Sequence, residues 1–370
     1  MAGDPLDRIQ RRLGFKGGNA SSPVRAIVII LAITVLPLFI ICAVEGTLGS
    51  LLRDPLILGR LLITLPLLEL SGMPISRAVA RAVQRFHAEE LVTAEDQPRF
   101  DATIAAAVRM RDSVLAAVVI VVIAFGIALV GGREVTLSYV LGWAHRDGAL
   151  SVAGWWYVLV SVAVYHLVRL RWLWRLLVWW RFLFGVARIP LRLMPSHPDR
   201  SGGIGFLSTT VNAFGLLLFA LCVGFGFDCR ALILRGGESL HSLTIAMVGV
   251  PLLLIVWIAA PLVFFLPQLD VTKKRGRSDY AVLAARYVRR FDARWLGPDA
   301  DDTQLLGTSD LQSLADLANS YSVVREMRHV PMNKQTIVGL ILIGTAAMLP
   351  AITAEIPLRD ILLKVLSRLY

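Results

Sequence analysis

The chain has 370 residues, of which 56% are hydrophobic, with a mean hydropathy of +0.66 and a formal net charge of +11. Together with long uninterrupted apolar runs, this composition excludes an ordinary water-soluble domain and predicts an all-α, polytopic membrane protein. Only three cysteines occur, Cys42, Cys222 and Cys229, so neither a disulfide framework nor a zinc ligand set is expected. We expect no metal, no cofactor and no nucleic-acid partner.

The apolar runs predict about seven transmembrane helices. A bilayer core of about 30 Å is crossed by about 20 apolar residues at 1.5 Å per residue, so runs of that length are candidate spans. One run, Leu56–Ile75, carries Arg60, Pro66 and Glu69; if it is a re-entrant or surface helix, six spans remain and every later orientation reverses. The six clear runs are Ala26–Val44, Ser113–Val130, Trp155–Leu170, Gly205–Phe227, Leu243–Leu266 and Thr336–Thr353.

The distribution of Lys and Arg supports seven spans with a cytoplasmic N-terminus. The segments 1–25, 76–112, 171–204 and 268–334 are then cytoplasmic and hold 5, 6, 6 and 11 Lys or Arg residues, a total of 28. The external loops and the C-terminal tail hold eight, and the remaining two, Arg60 and Arg169, lie within spans. This asymmetry agrees with the positive-inside rule, and it places the C-terminus in the periplasm of a bacterial cell.

The same charge pattern divides the chain into segments. Transmembrane helices 1–2 occupy 26–75, helices 3–4 occupy 113–170, helices 5–6 occupy 205–267 and helix 7 occupies 335–355. Between and around them lie a cytoplasmic segment at 1–25, a helical hairpin at 76–112, a basic helix and turn at 171–204, a helical region at 268–334 and a short amphipathic helix at 356–370. Apolar stripes in these segments have to be buried, so we predict a compact helical cytoplasmic layer that extends the spans.

Local signals refine this prediction. Val79, Ala82 and Phe86 form one such stripe. Ser309 and Gln312 predict a capping box at the start of the last cytoplasmic helix. Two prolines, Pro251 and Pro261, are expected to break up the sixth span.

The sequence His197-Pro198-Asp199-Arg200-Ser201-Gly202-Gly203 precedes the fifth span. Ser201 and the two glycines expose backbone N–H groups at a helix start, so this turn is a candidate site for a phosphate, a lipid headgroup or a permeating anion. His197 and Asp199 are alternatively titrating groups or metal ligands. The structural alternative is a capped turn in which Asp199 or Ser201 accepts hydrogen bonds from free amides.

Ionisable side chains inside the predicted spans indicate function more strongly, because each is costly in the bilayer unless it faces protein or water. Arg60 and Glu69 are nine residues apart, which places them on opposite faces of one helix. We therefore expect separate partners: Glu45 at the outer end of the first span for Arg60, and a cytoplasmic-side arginine for Glu69. Asn212 in the fifth span is a further candidate pathway residue. Interhelical hydrogen bonds and salt bridges are the structural alternative for all four.

Residues 197–207 (HPDRSGGIGFL) and 314–328 (LADLANSYSVVREMR) resemble a group of uncharacterised bacterial integral membrane proteins, and the resemblance covers most of the chain. It implies that both stretches belong to one cytoplasmic surface of an inner membrane protein. No activity is known for that group, so the resemblance implies no catalytic or binding residue.

These features favour a channel or transporter for a small ion or solute, in which Arg60, Glu69 and Asn212 face the pathway and the basic cytoplasmic side favours anions. We expect a homo-oligomer, because one chain has few polar residues to line a pore. The expected partners are membrane lipids, with anionic headgroups on the cytoplasmic side. The first alternative is a non-transporting scaffold, sensor or assembly factor that docks a partner through cytoplasmic helices. The second, which we favour least, is an enzyme that acts on a lipid or phosphate group through His197, Asp199 and Arg200.

Overall fold

The computed structural model describes residues 23–138, 143–146, 149–297, 309–357 and 359, and its helices confirm the all-α prediction. Seven helices are long and apolar enough to cross a membrane, so the chain is a multi-pass membrane protein. Most of the predicted segments 1–25 and 356–370 lie outside the described residues. The seven helices, called spans 1 to 7, are Pro23–Val44, Pro55–Ala88, Gln97–Gly131, Val152–Val186, Phe206–Leu234, Leu240–Trp295 and Lys334–Ile352.

The spans consist of shorter helical segments that meet where the hydrogen-bonding pattern changes. Two π-helical segments, Leu58–Thr64 and Tyr157–Val162, and one 3-10 segment, Ala260–Phe265, interrupt the α-helices. A short antiparallel strand pair, His145–Arg146 with Ala149–Leu150, precedes span 4. The α-helices are Pro23–Thr34, Leu36–Val44, Leu48–Leu52, Pro55–Ile57, Leu65–Leu70, Gly72–Ala88, Gln97–Arg111, Val114–Ser138, Val152–Trp156, Ala163–Val186, Phe206–Ala213, Gly215–Gly236, Leu240–Ala259, Leu266–Trp295, Asp310–Arg325, Lys334–Ala346 and Leu349–Ile352.

The outer surface of the spans carries exposed apolar side chains, such as Val118, Leu253 and Leu342. In water such a surface promotes aggregation, whereas lipid chains are as apolar as leucine and solvate it. Span 5 is the most enclosed of the seven, and it packs against spans 2, 6 and 7. Polar side chains of span 5 can therefore contact residues of spans 2, 6 and 7.

At one end of the bundle, helices continue past the predicted apolar runs. Span 6 has 56 residues, or about 84 Å at 1.5 Å per residue, whereas a bilayer core measures about 30 Å. We call the helices Gly72–Ala88, Gln97–Arg111, Leu266–Trp295 and Asp310–Arg325 the basic layer, and the opposite end of the bundle the distal end. Phe86 and Phe100 are fully buried in the basic layer, with ring centroids 5.7 Å apart.

The predicted capping box at Ser309 is wrong. The Ser309 side chain makes no capping hydrogen bond, and Gln312 donates instead to Asp316 at 3.0 Å. The helix start is held by the preceding helix, because the Asp310 carboxylate accepts a hydrogen bond from Trp295 Nε1 at 3.1 Å. A tertiary contact has thus taken the place of the local cap.

The prolines of span 6 behave differently from each other. Pro251 lies inside the continuous α-helix Leu240–Ala259, so the prediction of a break there is wrong. Its ring packs against Gly344 of span 7, where an added Cβ would lie 3.1 Å from Pro251 Cβ. At Pro261 the helix does change, to the 3-10 segment, because proline lacks the N–H that continues an α-helix.

Candidate functional site

Spans 2 and 5 are joined inside the bundle by an ion pair between Arg60 and Asp228. Arg60 Nε and Nη2 each lie 2.9 Å from Asp228 Oδ1, which is the distance of a charge-assisted hydrogen bond. The two side chains are 19% and 27% exposed, so protein shields most of each. An isolated charge at this position would be costly, and each group compensates the other. The prediction that Glu45 is the partner of Arg60 is therefore wrong.

Two buried tyrosines of span 4 complete the surroundings of Arg60. Arg60 Nη1 lies 3.5 Å from the Tyr157 hydroxyl oxygen, at the limit of a hydrogen bond. The Tyr165 ring centroid lies 5.9 Å from Arg60 Cζ and 5.3 Å from Arg169 Cζ, within the range of cation–π attraction. Spans 2, 4 and 5 thus converge on one guanidinium. We call Arg60, Thr64, Tyr157, Tyr165 and Asp228 the Arg60 cluster.

The Arg60 cluster contains a buried hydroxyl that lacks a protein partner. Thr64 is fully buried, and its Oγ1 makes no hydrogen bond to any described residue. Gly224 of span 5 lies opposite, where an added Cβ would sit 2.8 Å from the Tyr165 hydroxyl and 3.1 Å from Thr64 Oγ1. An unsatisfied buried hydroxyl is costly, so Thr64 Oγ1 is an available hydrogen-bonding group in the Arg60 cluster.

Both π-helical segments meet at this cluster. Leu58–Thr64 carries Arg60 and ends just before Pro66, whose ring and missing N–H disfavour the regular α-helical bond to the turn before it. Tyr157–Val162 begins with Tyr157, and nothing in its sequence explains the wide turn. π-helical turns are rare and occur frequently at functional sites. Their wider spacing also changes the direction of the side chains that follow.

The distal side of the cluster is covered by a buried aspartate and tryptophan. Asp54 accepts hydrogen bonds from the Leu56 N–H and from Trp143 Nε1, both at 2.9 Å. Trp143 in turn packs edge-to-face on Tyr157, with ring centroids 5.3 Å apart. Arg60 follows Pro55, the first residue of span 2, by five positions, or about 7.5 Å. The Arg60 cluster therefore lies in the distal part of the bundle, directly below this cover.

The other predicted pathway residues lie outside the Arg60 cluster. Glu45 follows the helix Leu36–Val44 and is half-buried there. Asn212 is exposed and precedes Asp228 by 16 residues, or about 24 Å along the helix. Glu69 has a buried Oε1 without a hydrogen-bond partner among the described residues, so the expected arginine partner is not found for this atom. Of the four residues, the structure brings only Arg60 into the cluster.

The turn at residues 197–203 is closed by its own aspartate. Asp199 accepts hydrogen bonds from the N–H groups of Ser201 and Gly205 at 2.7 Å and of Gly203 at 3.2 Å. His197 Nδ1 lies 2.8 Å from Asp199 Oδ1. Two of the three amides predicted to bind an external anion, those of Ser201 and Gly203, are thus bound to Asp199, as in the structural alternative. Within the described ranges, no group of three or more His, Cys, Asp or Glu residues is placed to hold a metal ion.

This turn contacts the second stretch that carries the family resemblance. Arg200 Nη1 lies 2.8 Å from Glu326 Oε2, and the Arg328 N–H donates to the Arg200 carbonyl at 2.8 Å. Gly202 has a φ of +68°, and an added Cβ would lie 3.2 Å from Met327 Cε. Glycine is therefore required by both the backbone and the close packing. The two stretches therefore contact each other through both backbone and side-chain groups.

Sequence reasoning missed Asp228, Tyr157 and Tyr165. Asp228 directly follows Phe227, the last residue of the predicted fifth span, and therefore looked like a loop residue. The observed helix continues to Gly236, which places the carboxylate inside the bundle. A recognisable signal was available, since the apolar segment Ala231–Leu234 follows Asp228 and could have extended the span.

Comparison with known proteins yields no match to a family model, to a curated protein or to a solved structure.

Proposed function

We propose that the protein is a membrane channel or transporter for a small ion, with a preference for anions, and that the permeating ion binds at the Arg60 cluster. One observation carries this proposal: a guanidinium inside the bundle is paired with the carboxylate of Asp228, lies 3.5 Å from the Tyr157 hydroxyl and lies 5.9 Å from the Tyr165 ring centroid. Ionisable groups inside membrane helices are rare and commonly mark ion pathways.

The chemistry of the cluster supports an anion rather than a cation. Arg60 keeps its positive charge at physiological pH, and the hydroxyls of Thr64, Tyr157 and Tyr165 are hydrogen-bond donors. Asp228 occupies the position that an incoming anion would take.

A purely structural salt bridge is the competing interpretation, since such pairs also hold membrane helices together. Two features favour the functional one. Thr64 Oγ1 is buried without a hydrogen-bond partner among the described residues, although a structural cluster normally satisfies its polar groups. The cluster also lies where two rare π-helical segments meet.

We also propose a bacterial inner membrane location with the N-terminus in the cytoplasm. The support is the charge bias, because 28 of the 36 Lys and Arg residues outside the predicted spans lie on one side. The resemblance to uncharacterised bacterial membrane proteins agrees with this location.

Chloride influx into liposomes tests the role of the Arg60 cluster. Purified protein should admit chloride, reported by an enclosed halide-sensitive dye. The double variant Arg60→Gln/Asp228→Asn should reduce this flux about tenfold or more, because it removes the charge-assisted bond to the ion while leaving polar, uncharged side chains at both positions. Wild-type flux no greater than that of empty liposomes would contradict the proposal, as would equal flux in the double variant.

A steric pair of variants provides the control for that flux. Gly224→Ala adds a methyl group 2.8 Å from the Tyr165 hydroxyl and should lower chloride influx, whereas Gly126→Ala meets nothing within 4 Å and should leave it unchanged. Potassium in place of chloride as the permeant ion tests selectivity. Chloride influx through Glu69→Gln tests whether Glu69, the second intramembrane acid, belongs to the same pathway. An unaltered influx would show that it does not.

We further propose that the protein is a homo-oligomer that associates through the basic layer. Val282 and Leu283 are exposed on the helix Leu266–Trp295, and Leu296 is exposed directly after it. These residues begin 16 positions beyond Leu266, where water rather than lipid is expected to surround them. Exposed apolar groups of this kind mark interaction surfaces. Val282→Glu/Leu283→Glu should convert an oligomer into the 40.6 kDa monomer in mass photometry.

The matched control is Ala105→Glu, because Ala105 is also exposed but lies on a different helix of the basic layer. It should leave the particle mass unchanged. A monomeric wild-type protein, or an oligomer that survives Val282→Glu/Leu283→Glu, would refute association through this surface.

A further inference from the structure

A second feature of the molecule, separate from the Arg60 cluster, is a largely apolar cleft of about 190 Å³. It lies between the helices Gly72–Ala88, Gln97–Arg111 and Ala163–Val186. A single water needs roughly 15 Å³ by the same kind of measure, so the cleft is an order of magnitude larger than a water site. Its walls are formed by Val79, Val83, Ile104, Val108, Val178 and Phe182. The size and lining fit a hydrocarbon chain.

The charged residues that line this cleft are both arginines, Arg111 and Arg175. Arg111 is oriented by Asp112, whose Oδ1 lies 2.8 Å from Arg111 Nε and whose Oδ2 lies 3.1 Å from Nη2. Arg175 Cζ lies 5.2 Å from the ring centroid of Trp172, which also lines the cleft. Both charged side chains at the cleft are therefore cationic.

A tryptophan supplies an additional polar group. Trp179 lines the cleft and is only 4% exposed, and its Nε1 has no hydrogen-bond partner among the described residues. An indole N–H only donates, so it suits an acceptor oxygen.

The cleft lies at the level expected for lipid headgroups. Arg111 precedes the apolar helix that begins at Val114 by three residues, and Trp172 and Trp179 belong to the aromatic residues that characterise a membrane interface. A side opening at that depth would face the boundary between acyl chains and phosphate groups.

We propose that this cleft binds an anionic phospholipid, with one acyl chain along the apolar walls and the phosphate group beside Arg111 and Arg175. A free phosphate would not use the apolar walls, and a zwitterionic lipid would gain less from the two cationic side chains in the lining. The anionic headgroup expected at the turn 197–203 is thereby assigned to a different place, because Asp199 already binds the amides of that turn. This proposal is independent of ion transport.

Native mass spectrometry of the purified full-length chain, titrated with phosphatidylglycerol in neutral detergent, tests the proposal. We expect phosphatidylglycerol to bind more tightly than phosphatidylcholine of the same chain length. Arg175→Gln should weaken phosphatidylglycerol binding about fivefold, the effect of one basic residue near an anionic lipid, and Arg175→Lys should restore most of it. Val108→Trp, which fills the cleft from its partly exposed wall, should weaken it about tenfold.

Two variants serve as controls. Arg109→Gln removes an exposed arginine from the same helix as Arg111, and Val114→Trp enlarges an exposed residue outside the cleft, so both should bind as the wild type does. If Arg175→Gln fails to fold, Val108→Trp alone decides. Equal binding of the two lipids, loss of the bound lipid on addition of sodium phosphate, or wild-type affinity in Val108→Trp would overturn the proposal.

Discussion

Replacement of Asp228 by asparagine is expected to destabilise the protein by about 3 kcal/mol, because it leaves the charge of Arg60 uncompensated inside the bundle. Arg60 makes both of its 2.9 Å contacts to a single oxygen of Asp228, and protein shields most of both side chains. Thermal unfolding in detergent is measurable with a thiol-reactive dye, since Cys42, Cys222 and Cys229 are all buried and become reactive only as the protein unfolds. The midpoint of Asp228→Asn should lie several degrees below that of the wild type.

Two comparisons make this result specific. Asp279→Asn removes the partner of Arg275 in a pair that is 84% and 65% exposed, so its effect should stay below about 1 kcal/mol. Arg60→Met/Asp228→Leu removes both charges and should recover most of the stability, because apolar replacements of a buried pair are often neutral. A midpoint for Asp228→Asn equal to that of Asp279→Asn would show that the pair does not hold spans 2 and 5 together.

Asp199→Ala should cost a similar amount, about 3 kcal/mol, because it leaves three backbone N–H groups without their acceptor. The N–H groups of Ser201, Gly203 and Gly205 all donate to this carboxylate, at 2.7 to 3.2 Å. Loss of these bonds should also loosen the contact between Arg200 and the stretch around Arg328. The same dye assay measures the stability, and limited proteolysis around residue 200 reports the loosening of the turn.

For this second variant, Asp199→Asn and Arg200→Gln form a graded control. Asparagine keeps one acceptor oxygen and should show an intermediate effect. Arg200→Gln loses only an ion pair that is 48% and 51% exposed, so its stability should change by less than about 1 kcal/mol. If Asp199→Ala is no less stable than Arg200→Gln, the aspartate does not hold the turn.

The basic layer illustrates how far periodicity alone carries a prediction. The stripe Val79, Ala82 and Phe86 predicts that a helix continues past the apolar run Leu56–Ile75, and Phe86 is fully buried. Ser309 also predicts where the helix Asp310–Arg325 begins, but it does not predict what stabilises that helix start. Asp310 binds Trp295 of the preceding helix, and no pattern within four residues contains that contact.

The Arg60 cluster shows where such reasoning ends. Arg60 was recognised because any charge inside an apolar run is conspicuous. The sequence suggests Glu45, at the end of span 1, as the partner of Arg60. The observed partner, Asp228, lies on span 5, 168 residues away from Arg60. The turn at 197–203 is the opposite case. Asp199 and the amides it binds lie within six residues, so the sequence itself suggests that Asp199 closes this turn.

The sequence by itself determined that the chain has seven helices long and apolar enough to cross a membrane, and that helices extend past the apolar runs. It did so because the bilayer demands long apolar runs whose backbone groups are satisfied within each helix, and both requirements are local. The tertiary structure alone decided which helices adjoin, that Asp228, Tyr157 and Tyr165 surround Arg60, and that Thr64 faces Gly224. These contacts depend on distances between helices and on π-helical turns that redirect side chains, and neither quantity is encoded in residue spacing along one segment.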